Sequence, residues 1–224
     1  MRRIDAGRPL ETVSGTLSNS MLAFALTATV IEITPGPNMA YLAALSLSQG
    51  MRAGFAAVIG IALGLLVYGV AAALGLGIII DNSKFLYETL RWAGVIYLLW
   101  LGWEAWASER ETSPSVADNA DERPWVAFRR GLITNLLNPK AAVFYVAVLP
   151  EFVRTGSGSV PMQTLVLSAV YVGIATAIHS AIVLLASRLH GTIDTGDKRR
   201  TIRRILAVLL VGIAIWFALS TGRH

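Results

Sequence analysis

The sequence contains no cysteine, and this absence removes several classes of chemistry at once. Disulfides, thiol redox chemistry and cysteine-ligated metal sites are all excluded. No spacing of metal ligands, nucleophile motif or nucleotide-binding loop is present either. We therefore expect neither an enzyme nor a protein that carries a cofactor or a resident metal ion.

Charged residues are scarce as well, at 15% of 224 residues, whereas a soluble domain carries about 25%. About 20 apolar residues suffice to cross the hydrocarbon core of a bilayer as a helix. The pattern predicts an all-α integral membrane protein with six transmembrane helices surrounded by lipid. The six apolar segments cover roughly residues 18–48, 54–80, 91–107, 126–152, 163–187 and 202–220.

The loops between these segments are too short to form a soluble domain. We predict a polar N-terminal tail over residues 1–17 and a single transmembrane domain over 18–220. Its halves cover 18–107 and 126–220, and a polar linker joins them at 108–125. The net charge of +5 is interpreted as basic residues in the loops, with no nucleic-acid partner. Gly60 and Gly64 form a small-xxx-small pair, which indicates close helix packing within the chain or in a homodimer.

Prolines interrupt two of the apolar segments. Pro35 and Pro37 flank Gly36 in the first helix, and Pro139 follows Asn138 in the fourth. Proline removes a backbone donor and clashes with the preceding turn, and freed backbone groups in lipid cost several kcal/mol each unless they find partners. We predict that both helices are broken, that Pro37 begins a second half-helix, and that Asn38 bonds the exposed backbone or a ligand.

The two breaks occupy corresponding positions when the chain is divided into three helices plus three. Because three is odd, the second triplet enters the membrane from the opposite side, which gives an inverted repeat. Interrupted helices at matching positions of such repeats indicate a transporter site near the midplane. The half-helix N-termini carry partial positive charge that suits a carboxylate. The alternative is that both prolines only kink helices for packing.

Two charged residues lie well inside apolar segments, Glu32 and Lys140. Charges in hydrocarbon are costly, so a functional role is the first hypothesis. Lys140 would hold a substrate carboxylate, and Glu32 would take an amine or a proton. The alternative is a buried ion pair that fixes the packing of the two halves. His179, the one histidine in a span, is a candidate for proton coupling or for a purely structural role.

The motifs together resemble those of the LysE/RhtB family of amino-acid exporters. The resemblance covers about residues 18–220, and the first and fourth motifs are specific in combination. The matching stretches are residues 34–38 (TPGPN), 47–54 (LSQGMRAG), 60–64 (GIALG), 93–102 (AGVIYLLWLG), 130–140 (RGLITNLLNPK) and 149–152 (LPEF).

The resemblance implies a secondary transporter in the bacterial cytoplasmic (inner) membrane that exports amino acids or their derivatives, driven by proton antiport or another coupling ion. Some relatives have an acidic residue in helix five, so Glu32 or His179 would have to replace it here. A passive channel and an exporter of another solute or of metal ions remain alternatives, whereas the missing cysteines disfavour an electron conduit. The predicted substrate-binding residues are Thr34, Pro35, Gly36, Pro37, Asn38, Asn135, Asn138, Pro139 and Lys140.

Overall fold

The computed structural model describes residues 9–75, 84–107, 124–154, 156 and 158–190, and also 204, 208, 211, 212, 214, 215 and 219. Within this part of the chain the backbone is helical or in short turns and contains no strand, which confirms the all-α prediction. The predictions for residues 1–8, for most of the linker 108–125 and for most of the last apolar segment lie outside the described residues.

Six α-helices and two shorter helical turns follow one another along the described chain. A π-helical turn, Phe144–Val148, and a 3-10 turn, Leu149–Phe152, continue directly from the fifth helix. The helices are α1 (Pro9–Ile33), α2 (Pro37–Ala73), α3 (Lys84–Ala107), α4 (Pro124–Leu136), α5 (Pro139–Val143) and α6 (Val160–His190).

Two of the described helices are long and apolar enough to cross a bilayer, namely α2 and α6. A third candidate span is the pair formed by α4 and the segment Pro139–Phe152, which is bent by 49° at the break. The apolar part of α1, Ser20–Ile33, is shorter. The described residues therefore form a helical membrane protein with two or three candidate spans, against the six predicted for the whole chain.

Several boundaries differ from those predicted. Residues 84–90 were expected in a polar loop, but α3 begins at Lys84. This stretch contains neither glycine nor proline, so nothing in its local sequence opposes a helix. Helix α6 also extends three residues beyond each end of the predicted segment 163–187, and α1 begins within the stretch assigned to the polar tail. Helix α2 ends at Ala73, before the predicted residue 80. Gly75 follows this end with a φ of 80°, a conformation typical of a glycine just after a helix.

Helix α2 is the centre of the described structure and packs against both α4 and α6. A β-carbon on Gly60 would overlap the carbonyl oxygen of Phe128, and one on Gly131 would overlap that of Ala57. Gly64 faces Asn135 in the same contact. The small-xxx-small pair of α2 is therefore used for packing against α4 within the chain.

The outer surface of the described helices is apolar. Large exposed apolar surfaces on a protein mark contact with a membrane or a partner, and on spanning helices this surface faces lipid. The exposed apolar side chains include Leu22, Leu26 and Val30 on α1, Ile59, Leu63, Leu66, Val67 and Val70 on α2, and Leu165, Val166, Leu185 and Leu189 on α6.

Candidate functional site

The first break lies between Ile33, where α1 ends, and Pro37, where α2 begins. Gly36 precedes α2 in an extended conformation, and Pro37 occupies the first turn. Pro37 is thus the first residue of a helix, whereas its place in a half-helix of a broken span stays a prediction. At this position the missing N–H of proline costs little, because the first helical N–H groups have no partner within the helix.

Lys140 covers the exposed end of α1. Its Nζ atom donates to the backbone carbonyl oxygen of Thr34 at 2.7 Å and to that of Glu32 at 3.3 Å. These carbonyl oxygens lie in the last turn of α1 and in the break. The helix itself supplies no N–H donor to carbonyls at its C-terminal end. The lysine therefore satisfies backbone groups freed by the break, and it links the fourth apolar segment to the first.

The second break lies between α4 and α5 and is closed in a different way. Asn138 precedes α5 and its Oδ1 atom accepts a hydrogen bond from the backbone N–H of Lys140 at 3.0 Å, as in a helix N-cap. At the other side of the break, the Tyr68 hydroxyl donates to the carbonyl oxygen of Leu136 at 2.7 Å. A β-carbon on Gly94 would overlap the Leu137 carbonyl oxygen, so α3 packs directly on this break.

A pair of buried amides joins the two breaks. Asn38 Nδ2 donates to Asn135 Oδ1 at 2.8 Å, and both side chains are buried. Asn38 therefore bonds another side chain, whereas the sequence proposed the exposed backbone or a ligand as its partner. The remaining atoms of the pair, Asn38 Oδ1 and Asn135 Nδ2, are buried without a hydrogen-bond partner among the described residues.

The carboxylate of Glu32 contacts two side chains of α6. The Tyr171 hydroxyl donates to Glu32 Oε2 at 2.8 Å, and His179 Nε2 lies 2.9 Å from Glu32 Oε1. This second contact becomes an ion pair when the imidazole is protonated. Glu32, Tyr171 and His179 are all buried. The two intramembrane charges thus have separate partners, and Lys140 contacts the Glu32 backbone, not its carboxylate.

A cavity of about 330 Å³ lies at the two breaks, within the size range of small-molecule sites. Six of the predicted binding residues line it: Thr34, Pro35, Gly36, Pro37, Pro139 and Lys140. The cavity lining does not include the other predicted site residues, which are Asn38, Asn135, Asn138, Glu32 and His179. The full lining is Ile31, Thr34, Pro35, Gly36, Pro37, Pro139, Lys140, Val143, Phe144 and Val148.

Sequence reasoning missed the apolar wall of the cavity and the partner of Glu32. Val143, Phe144 and Val148 line the cavity, and the Phe144 ring stacks on Tyr171 with centroids 3.7 Å apart. Tyr171 and His179 are eight residues apart on α6 and so share a helix face. That spacing of two polar residues in an apolar helix was a usable signal. No sequence signal pointed to Phe144, because its position in the cavity wall depends on the π-helical turn that begins at this residue.

Helices apolar and long enough to span a bilayer, and a cavity where residues 31–37 meet residues 139–148, are features of a helical membrane transporter. The family profile described as LysE type translocator matches residues 29–221, and the chain belongs to this family. It is therefore a transporter and not an enzyme.

Curated relatives match almost the whole chain at modest identity. A homoserine/homoserine lactone efflux protein of Salmonella typhi is 27% identical over 207 residues, which cover 90% of this chain and 96% of the relative. A leucine efflux protein of Klebsiella pneumoniae is 25% identical over 194 residues, or 86% and 92% of the two chains. An uncharacterized membrane protein of Vibrio cholerae is 29% identical over 199 residues. No solved structure matches the chain at a significant level.

Proposed function

We propose that this protein is a secondary transporter that exports amino acids or close derivatives across the bacterial cytoplasmic membrane. The observation that carries the proposal is the cavity between the two breaks, with Lys140 in its wall. Relatives with similar sequences are named for efflux of homoserine, homoserine lactone and leucine, which supports the same substrate class here.

The contacts of Lys140 indicate how a zwitterion would bind. Its ammonium group is held by the carbonyl oxygens of Thr34 and Glu32. A substrate carboxylate would replace these carbonyls as the partner of Lys140, and the substrate ammonium group would take the carbonyls that the lysine releases. Each charge exchanged in this way keeps a partner, which a low-dielectric site requires. The N-terminus of α2 adds partial positive charge beside the carboxylate.

We further propose that Glu32 couples export to inward proton movement. Its carboxylate is buried against Tyr171 and His179 on α6, and the ammonium group of Lys140 donates to the Glu32 backbone carbonyl. A buried carboxylate next to a histidine is a place where a proton can be held during transport. In this arrangement Glu32 binds the proton, and the backbone carbonyls bind the ammonium group of the substrate.

The proposal includes the arrangement of six spans as an inverted three-plus-three repeat, within a single transporter domain over residues 18–220. It is supported by the contacts between the breaks, since Lys140 reaches the end of α1 and Asn38 reaches Asn135. Alternating access would then move one half against the other around the cavity. A homodimer remains a prediction, because the Gly60 and Gly64 surface already packs against α4.

Counterflow of labelled amino acids in proteoliposomes tests the proposed function. We expect unlabelled substrate inside the vesicles to drive transient accumulation of label, with saturation, which distinguishes a carrier from a passive channel. In Lys140→Gln the half-saturating concentration should rise by about tenfold or more, since a charge-assisted hydrogen bond contributes about 1.5–3 kcal/mol.

The matched control is Arg129→Gln, which removes a positive charge from an exposed position on α4 outside the cavity. It should transport like the unmodified protein. The proposal fails if neither a panel of amino acids nor a pH gradient produces movement of label. The assignment of Lys140 fails if both variants have the same half-saturating concentration as the parent protein.

A further inference from the structure

The cavity at the breaks combines one ionisable side chain with a largely apolar wall, and this composition bears on the choice of substrate. Thr34, Gly36 and Lys140 form the side nearest the first break. Val143, Phe144 and Val148 continue the wall from Lys140 along the end of α5 and the π-helical turn. Of the described residues that line the cavity, Lys140 is the only one with an ionisable side chain.

The direction of the Glu32 side chain sharpens this point. Its carboxylate is the nearest acidic group to the break, but it is turned towards Tyr171 and His179 and is absent from the cavity wall. The cavity wall described here therefore offers a partner for one negative charge and for the hydrogens of one ammonium group. It offers no acidic side chain that would neutralise a second positive charge on a substrate.

On the basis of the proposed function, we propose that the cavity selects amino acids whose side chains are neutral and apolar. The α-carboxylate and α-ammonium groups would bind at Lys140 and the carbonyls of the first break. The substrate side chain would lie against Val143, Phe144 and Val148. A charged side chain placed there would lose its hydration without gaining a partner, whereas an apolar one gains free energy in proportion to the area it buries.

A substrate panel in proteoliposomes tests the selection. Leucine, valine and methionine should exchange against internal leucine at rates at least about tenfold above those of lysine and glutamate, because apolar pockets discriminate charged from apolar groups by at least this factor. Exchange of lysine or glutamate at the rate of leucine would overturn the selection while leaving amino-acid export intact. Absence of exchange with every amino acid would instead overturn the proposed function.

A pair of substitutions locates the side-chain pocket. Val148→Phe adds bulk to the apolar wall and should lower the exchange of leucine relative to that of alanine by about tenfold, the effect of a changed pocket volume on specificity. Val146→Phe introduces the same bulk two residues away, at a half-buried position that does not line the cavity. It should leave the ratio of leucine to alanine exchange unchanged.

The ratio is the informative quantity, because a variant that folds poorly loses both activities together. Equal ratios in Val148→Phe and the parent protein would place the substrate side chain elsewhere. If Val148→Phe yields no folded protein, Val148→Ala replaces it and should raise the exchange of bulkier apolar amino acids relative to alanine. No change in that ratio would likewise contradict the pocket.

Discussion

At the scale of single residues, glycine sets the distance between α2 and α4. The backbones touch where Gly60 faces the Phe128 carbonyl and where Gly131 faces the Ala57 carbonyl. A methyl group at either position would meet main-chain atoms, which cannot rotate away. Close approach of this kind replaces the hydrophobic driving force that helices lack inside a bilayer.

Gly60→Ala should therefore destabilise the protein. Overpacking at a tight contact costs about 1–3 kcal/mol, so the midpoint of thermal unfolding in detergent should fall. Gly173→Ala on α6 is the control, because nothing lies within 4 Å of the β-carbon that it adds. We expect its unfolding midpoint to equal or exceed that of the parent. Equal midpoints for the two variants would contradict the described contact between α2 and α4.

Glu32 and Lys140 show which features of single residues can be predicted from the sequence. Residue type and position predicted that Glu32 and Lys140 would lie beside the breaks. They left open whether the two side chains bind each other, because side-chain direction depends on how α1 packs against α5 and α6. In the fold, Lys140 binds carbonyl oxygens and Glu32 binds Tyr171, so each charge has its own partners.

At the scale of elements, α6 connects the cavity to the buried carboxylate. Phe144 lines the cavity and stacks on Tyr171, whose hydroxyl donates to Glu32. A substrate that contacts Phe144 is therefore two residues away from the proposed proton site. The π-helical turn that begins at Phe144 is of a type found frequently at functional sites.

Tyr171→Phe keeps the aromatic stack and removes the hydroxyl that Glu32 accepts from. A hydrogen bond to a charged group contributes about 1.5–3 kcal/mol, so export driven by a pH gradient should fall by about tenfold or more. Counterflow, which needs no net proton movement, should be largely retained. The ratio of the two rates in proteoliposomes is the measurement.

Tyr145→Phe is the matched control, since the Tyr145 hydroxyl makes no hydrogen bond to Glu32. It should leave the ratio of gradient-driven export to counterflow unchanged. An equal loss of both rates in Tyr171→Phe would mean that its hydroxyl only stabilises the fold. An unchanged ratio would remove Glu32 and Tyr171 from the coupling mechanism.

The first residues of α2 and α5 were predictable from sequence because proline acts locally. Pro37 and Pro139 begin α2 and α5 because the proline ring fixes φ near its helical value and the missing N–H costs little at the first helical position. The 49° bend at the second break and the π-helical turn after α5 were not predictable. Both depend on contacts made by distant residues, such as the Tyr68 hydroxyl on the Leu136 carbonyl and Gly94 against Leu137.

At the scale of the whole molecule, residues from two distant segments of the chain line one cavity. The all-helical membrane fold followed from the length and apolarity of the segments, and the family from the motifs that surround the prolines. The position of the cavity between the two breaks required the fold, because residues 31–37 and 139–148 are separated by more than 100 positions. The central claim is that an exported amino acid occupies this cavity.

The missing cysteines make that claim directly testable. A single cysteine at Val143, in the cavity wall, and one at Val146, outside it, can each be labelled with a thiol reagent without background. We predict that saturating leucine slows labelling of Val143→Cys and leaves labelling of Val146→Cys unchanged. Labelling of Val143→Cys at the same rate with and without any transported amino acid would contradict the account.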